Sequence, residues 1–325
     1  MNDIYPWQHS QWQALVKRIE SKRLPHALLL VGLPGMGKRH FAKQLATGLL
    51  CQNPHQGLGC KTCKSCLLLE ADNHPSYSLI EPEASDKPLK IEQIRNLTQF
   101  LATTPQFTDY KVAMIVKAEA LNTAAANALL KTLEEPQGQT LLILLSQADG
   151  LLPATIRSRC QAIHFPPALD QDTQRWLAKH LAADSDELLR SSGGAPLAAI
   201  ALQEQLPYRH ELWKKLVSIA EYNISPLELA ATHQKIQLVD FLTWLQELII
   251  DMIKLNLTDD AQFINNKIFL PQLQKLALCA KLSRLYACID ELQSARQQLA
   301  AHINLNHQLL LERILYQWQN CWTDK

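Results

Sequence analysis

Short apolar runs alternate with helical periodicities through the first half of the chain, and helical periodicity alone continues through the second. Residues 26–31 (HALLLV), 77–80 (YSLI), 111–116 (KVAMIV), 141–145 (LLILL) and 161–165 (QAIHF) read as strands. The most apolar of them suit a position buried on both faces. Between the runs, Trp12, Leu15, Val16 and Ile19 share one face of a helix predicted over residues 9–21. Phe41, Ala42, Leu45 and Leu49 mark a second helix, and Ile91, Ile94, Leu97 and Leu101 a third. Residues 123–135, rich in Ala and Leu, form a fourth that Pro136 stops. Strands alternating with helices predict an α/β domain on a parallel sheet, ending near Pro166-Pro167.

Beyond that point the strand pattern disappears. Residues 170–204 predict three short helices, with Gly193-Gly194 as the break between the last two. After Pro207 come Leu-rich helical stretches such as 236–255 and 283–300. The expected organisation is an α/β domain over residues 1–166, a small helical lid over 167–206 and an all-α domain over 207–325. Tyr316, Trp318 and Trp322 are expected in the core of the last part.

Composition changes this picture mainly by exclusion. A net charge of +1 with 19% charged residues gives no overall electrostatic footprint for nucleic acid or membrane. No apolar run approaches the roughly 18 residues that span a bilayer, and the N-terminal residues lack a signal-peptide pattern. A cytoplasmic location is expected, where thiols stay reduced and clustered cysteines point to metal.

The first candidate chemistry lies between the 26–31 strand and the next helix. Gly32-Leu33-Pro34-Gly35-Met36-Gly37-Lys38-Arg39 follows the phosphate-loop pattern G-x-x-x-x-G-K-S/T except at its last position. Strand, glycine-rich loop and helix is the context that cradles phosphate with backbone N–H groups, Lys38 reaching the outer phosphates. Arg39 stands where a hydroxyl would hold Mg²⁺. The second metal-holding element, Asp-Glu at the end of another strand, is also missing: at the end of the 111–116 run those positions read Val116 and Lys117, with Glu119 two further on. A site lacking both elements is not expected to hydrolyse ATP, and whether Lys38 still meets a nucleotide stays open.

The second candidate is Cys51, Cys60, Cys63 and Cys66, spaced C-x8-C-x2-C-x2-C. Four thiolates suit a tetrahedral, structural Zn²⁺ with no open coordination position. The rivals are disulfides or an iron–sulfur cluster, but the bacterial cluster pattern continues with x3-C-P, whereas Leu67-Leu68-Leu69 follows here. Cys160, Cys279, Cys288 and Cys321 are scattered and read as small buried apolar residues. A reactive thiol at Cys160 is the minor alternative, weakened by the apolar strand beside it and the lack of an evident catalytic His.

Taken together, YPW near the N-terminus, LPHALLLVGLPGMGK, the four cysteines, AANALLKTLEEP (125–136) and LPATIRSRC (152–160) resemble the clamp-loader branch of the AAA+ superfamily, which serves bacterial DNA polymerase III. The resemblance is dense over residues 5–165 and rests on character and length beyond. It implies a phosphate-loop fold with a zinc insertion at 51–66, a lid and a C-terminal helical collar for oligomerisation. AANALLKTLEEP and SRC are shared with the ATPase subunits gamma and tau, so the departures decide the type. Family ATPases carry Ser or Thr after the loop lysine, Asp-Glu after the second strand and a phosphate-touching arginine in the lid. Here those positions hold Arg39, Val116-Lys117 and Pro196, which resembles the loader subunit that does not hydrolyse ATP. The resemblance also implies that Arg159 of Ser158-Arg159-Cys160 crosses to a neighbour's ATP, with Arg157 better suited to a structural role between sheet edge and lid. Gamma or tau and delta subunits are the implied partners, and the sliding clamp and primed DNA the indirect ones. An active ATPase of the gamma or tau type and a zinc-dependent nucleic-acid-binding module are the competing readings.

Overall fold

The computed structural model of the chain describes residues 4–84, 87–181, 185–232, 238–258, 261, 264–300 and 306–322. Five strands form one parallel sheet: β1 (Ala27–Gly32), β2 (Tyr77–Ile80), β3 (Tyr110–Ile115), β4 (Gln139–Ser146) and β5 (Gln161–Phe165), in the order β2-β3-β4-β1-β5. The helices among them are α1 (His9–Glu20), α2 (Lys38–Leu50), α3 (Lys64–Glu70), α4 (Ile91–Leu101), α5 (Thr123–Glu134) and α6 (Ala154–Arg157).

Side chains alternate across a strand, so each strand feeds both faces of the sheet. Leu28 and Leu30 of β1 join Met114, Ile143, Phe41 and Leu45 in one layer. Leu29 and Val31 join Ile115, Leu144, Ile94, Leu97 and Leu129 in the other. Each buried leucine stabilises the fold by about 1.5–3 kcal/mol. β1 sits between β4 and β5, with Leu29 opposite Leu144 on one side and Ala162 on the other. That central place opens a crevice at the carboxyl ends of β1, β3 and β4, where open α/β sheets bind ligands.

The chain divides into two compact units. The first comprises residues 1–180 and 193–198, the second residues 181–192 and 199–325, so the segment expected as a lid is shared between them. After α7 (Gln171–Leu177) and α8 (Ser185–Ser191), α9 (Pro196–Ala220) is not the short third helix expected but runs on through Pro207. Proline inside a helix costs about 3 kcal/mol through one lost hydrogen bond and a clash. Burial of Leu212, Trp213, Leu216 and Ile219 on the same helix outweighs it.

The second unit continues with α10 (Pro226–Thr232), α11 (Leu238–Thr258), α12 (Leu270–Cys279), α13 (Leu282–Ala300) and α14 (His307–Gln319). Residues 236–237 of the expected 236–255 helix lie outside the described residues. Trp318 is fully buried and donates to the Leu216 carbonyl at 2.9 Å, whereas Tyr316 is exposed. Cys288 and Cys321 are buried as expected, but Cys279 is exposed at the end of α12. Among the described residues, no helix is long and apolar enough to cross a membrane.

Candidate functional site

The crevice is a cavity of about 530 Å³ built from the three strand ends. Gly35, Gly37, Lys38, Arg39 and His40 line it after β1, Val116, Lys117 and Glu119 after β3, and Leu145, Ser146 and Gln147 at the end of β4. Gly35 has φ +83°, and a Cβ there would lie 2.6 Å from both the backbone N and the Cβ of Ala198. The loop therefore needs glycine for the fold itself, with or without a ligand. Several of its carbonyls accept hydrogen bonds from elsewhere in the chain. Leu197 N–H donates to the Gly35 carbonyl at 3.0 Å. Trp7 Nε1 and Gln8 Nε2 both donate to the Met36 carbonyl, at 3.1 and 2.7 Å. Trp7 in turn stacks on Tyr5 and meets the edge of Trp176.

Lys38 folds back over the loop. Its Nζ donates to the carbonyls of Gly32 and, at 2.9 Å, Leu33. Burial lowers its pKa, and the nearby Glu119 carboxylate partly offsets that. Arg39 lies on the rim and pairs with Glu81 at 2.9 Å. Both partners are about half exposed, so the pair contributes little to stability. Lys117 follows β3 in the left-handed region, with φ 54°. Glu119 sits in a single turn of 3-10 helix, Ala118–Ala120, and its Oε2 is buried without a hydrogen-bond partner among the described residues. Of the positions that would hold Mg²⁺, Arg39 and Lys117 carry cationic side chains and Val116 an apolar one, with Glu119 lining the same cavity.

Arg159 lies elsewhere in this unit, just past α6. Its Nη2 meets Glu134 Oε1 at 2.7 Å, and its Nη1 donates to the Thr155 carbonyl at 2.9 Å and to Ser158 Oγ at 3.3 Å. The Arg157 side chain is exposed and makes no hydrogen bond or ion pair with a described residue, so the structural role expected of it is not seen. A four-residue helix turns it outward while Ile156 takes the buried place. Cys160 is largely buried, and burial pushes its pKa up to about 12, which removes the reactive-thiol alternative.

At the far end of α2 the four predicted cysteines converge. The Sγ atoms of Cys51, Cys60, Cys63 and Cys66 all lie within 4.8 Å of one another, and Cys51 and Cys63 are 3.9 Å apart. A tetrahedron with metal–sulfur bonds of about 2.3 Å has sulfur–sulfur edges of about 3.8 Å. Backbone N–H groups point at the sulfurs as they do at thiolates: Cys60 to Cys51 at 3.2 Å, Cys63 to Cys60 at 3.3 Å and Cys66 to Cys63 at 3.5 Å. The Thr62 hydroxyl leads the interactions that pull Cys60 down to about 5, while burial pushes Cys66 up. The donor set fits a four-coordinate metal ion. Close packing holds the module to α2: a Cβ on Gly48 would lie 1.8 Å from the Gly57 carbonyl oxygen.

Family and relatives agree with this geometry. A family model described as DNA polymerase III, delta subunit, matches residues 7–168, and a second, for the C-terminal part of the same polypeptide, matches 203–320. DNA polymerase III subunit delta' of Pseudomonas aeruginosa is 37% identical, the match covering 98% of each chain. The Escherichia coli subunit delta' is 33% identical over 96% of this chain and 94% of its own. The chain belongs to the DNA polymerase III delta' family. A tau/gamma subunit from Haemophilus influenzae is 33% identical over 70% of this chain and 30% of its own.

For a delta' family member, several residues of the cleft escaped sequence reading. Ser146 and Gln147 reach it only because β4 ends there, and their one signal was the end of an unbroken apolar run. Trp7 and Gln8 act on the loop from 28–29 positions away in sequence, a contact no local pattern carries. Glu134 enters the sequence pattern as a helix end and as part of AANALLKTLEEP, neither of which announces its ion pair with Arg159.

Proposed function

We propose that this chain works as a non-hydrolysing subunit of the DNA polymerase III clamp loader. It assembles with delta and with gamma or tau subunits in the cytoplasm, and residues 207–325 serve as its oligomerisation collar. Arg159 reaches the ATP held by a neighbouring subunit, and the chain acts as the rigid member while the ring loads the sliding clamp on primed DNA. The observation that carries this reading is the cationic cleft, with Arg39 and Lys117 lining the places where hydrolysis needs a hydroxyl and a carboxylate. Neither side chain can coordinate Mg²⁺, so the cleft lacks the ion that bridges the phosphate oxygens and the carboxylate that acts beside it.

Arg159 supplies what a neighbour lacks. A planar guanidinium grips phosphate oxygens in bidentate fashion, and such arginines are worth roughly 10³–10⁵ in rate in related nucleotide hydrolases. The cysteine module holds a structural Zn²⁺, closed to substrate by its four thiolates. The test is the ATPase rate of a reconstituted loader with gamma, delta, clamp and primed DNA. The wild-type chain alone is expected to be inactive yet to support turnover in the complex, and Arg159→Ala to lower that turnover. ATP hydrolysis by the isolated chain that Lys38→Ala abolishes would establish the active-ATPase reading instead.

A further inference from the structure

We infer that Glu134 is a positioning residue for Arg159, holding the guanidinium in place before a neighbouring ATP site arrives. The inference rests on the trans role proposed for Arg159. An arginine on a free surface samples many rotamers, and fixing it at the moment of assembly costs side-chain entropy. Here the side chain is already anchored on two elements. Glu134 closes α5 and takes Nη2 at 2.7 Å, and Thr155 of α6 takes Nη1 at 2.9 Å through its carbonyl. Glu134 ends α5, where the partial negative charge of the helix C-terminus also favours a guanidinium. Nη1 donates to the Thr155 carbonyl and the Ser158 hydroxyl oxygen, and Nη2 is held by charge beside Glu134. Nε–H meets no acceptor among the described residues.

The exposure of the pair fits that task. The Arg159 side chain is 35% exposed and that of Glu134 49%, so the guanidinium is open to water and to an approaching protein surface. A pair this exposed contributes little to folding, which leaves orientation as the effect of the contact. Glu134 does not touch the reacting phosphate on this account. It acts through Arg159, and its removal lowers turnover without weakening ATP binding.

A double-mutant cycle in the reconstituted loader tests this, with kcat and KM for ATP read separately. Arg159→Ala is expected to give the larger loss in kcat. Misplacing a catalytic group by about 1 Å costs up to about 100-fold, and Glu134→Ala is expected to lower kcat by about 3–10-fold, within that limit, with KM unchanged. The double variant should be no slower than Arg159→Ala alone, because Glu134 has nothing left to position. Glu134→Gln keeps an acceptor oxygen and should recover part of the rate. Glu135→Ala, on the neighbouring exposed residue, serves as the control and should match wild type. Additive losses, or a normal rate in Glu134→Ala beside a slow Arg159→Ala, would overturn the positioning role and leave the trans arginine standing. A normal rate in Arg159→Ala would remove both.

Discussion

Helix α2 carries a ligand motif at each end, and the two ends have diverged. At its N-terminus the glycine scaffold of a phosphate loop is intact, but the chain has engaged the loop with its own groups. Lys38 lies on the Gly32 and Leu33 carbonyls, Arg39 on Glu81, and Trp7 and Gln8 on Met36. At its C-terminus Cys51 begins a set of four sulfurs gathered within 4.8 Å. The difference separates scaffold from chemistry. Gly35 is required by its contact with Ala198 whatever the loop binds, so the glycine pattern by itself does not report a ligand. Four thiols gain little by packing together, and their convergence is the arrangement that could hold a metal ion.

The largest effect should come from removing that ligand. Structural zinc contributes about 10–16 kcal/mol of apparent binding energy in small zinc domains. Chelation by EDTA, or Cys63→Ser, should therefore unfold residues 51–66 while the sheet survives, since the strand layers make their own core. Amide exchange would speed up across the module, and circular dichroism would keep the signal of the sheet and helices. Global unfolding would show that the two ends of α2 are not separable. A smaller effect is expected at the other end. Gly35→Ala forces a side chain into the left-handed region against Ala198 and should cost about 1–3 kcal/mol. Gly150→Ala, with open space around it, should stay within about 0.5 kcal/mol. Thermal unfolding with and without Mg-ATP completes the contrast. A ligand that binds the folded state raises Tm by mass action, so a clear rise would show that the loop has kept its chemistry.

How far the sequence revealed these ends follows the range of each interaction. The strands at 77–80 and 161–165 match their predicted bounds, and the other three differ by one or two residues at each end. Apolar runs and glycine breaks are local signals, and so is cysteine spacing, which is why all four thiols were found. Contacts between distant segments were not legible. Nothing near Gly35 announces Leu197, and nothing near Met36 announces Trp7. The length of α9 was also hidden, because Pro207 is a local stop signal that burial of four large side chains overrides. Glu134 shows the same limit from the other side. Its place before Glu135-Pro136 reads as a helix end, and only the fold brings Arg159 to it.

The smallest effect is the most specific, and it concerns how the cysteine module is tied to the sheet. His74, 3% exposed, precedes β2 and reaches back to Ser65, which lies between two of the cysteines. Its Nδ1 accepts the Ser76 N–H at 3.0 Å, so the ring proton sits on Nε2 and is donated to Ser65 Oγ at 2.8 Å. The Ser65 hydroxyl is then free to donate to the Leu50 carbonyl. This relay needs a neutral imidazole, and burial lowers the His74 pKa from its ordinary 6.5. The unfolded chain therefore takes up the proton first as pH falls. Stability is complete above about pH 6.5 and declines below it, by at most about 1.4 kcal/mol per pH unit until the folded state also protonates. His74→Gln keeps a polar side chain and removes the titration. The drop in Tm between pH 7.5 and pH 5.5 should accordingly be larger for wild type than for this variant. Equal drops would mean that the acid sensitivity of the module arises from its thiolates, and that His74 merely fills space.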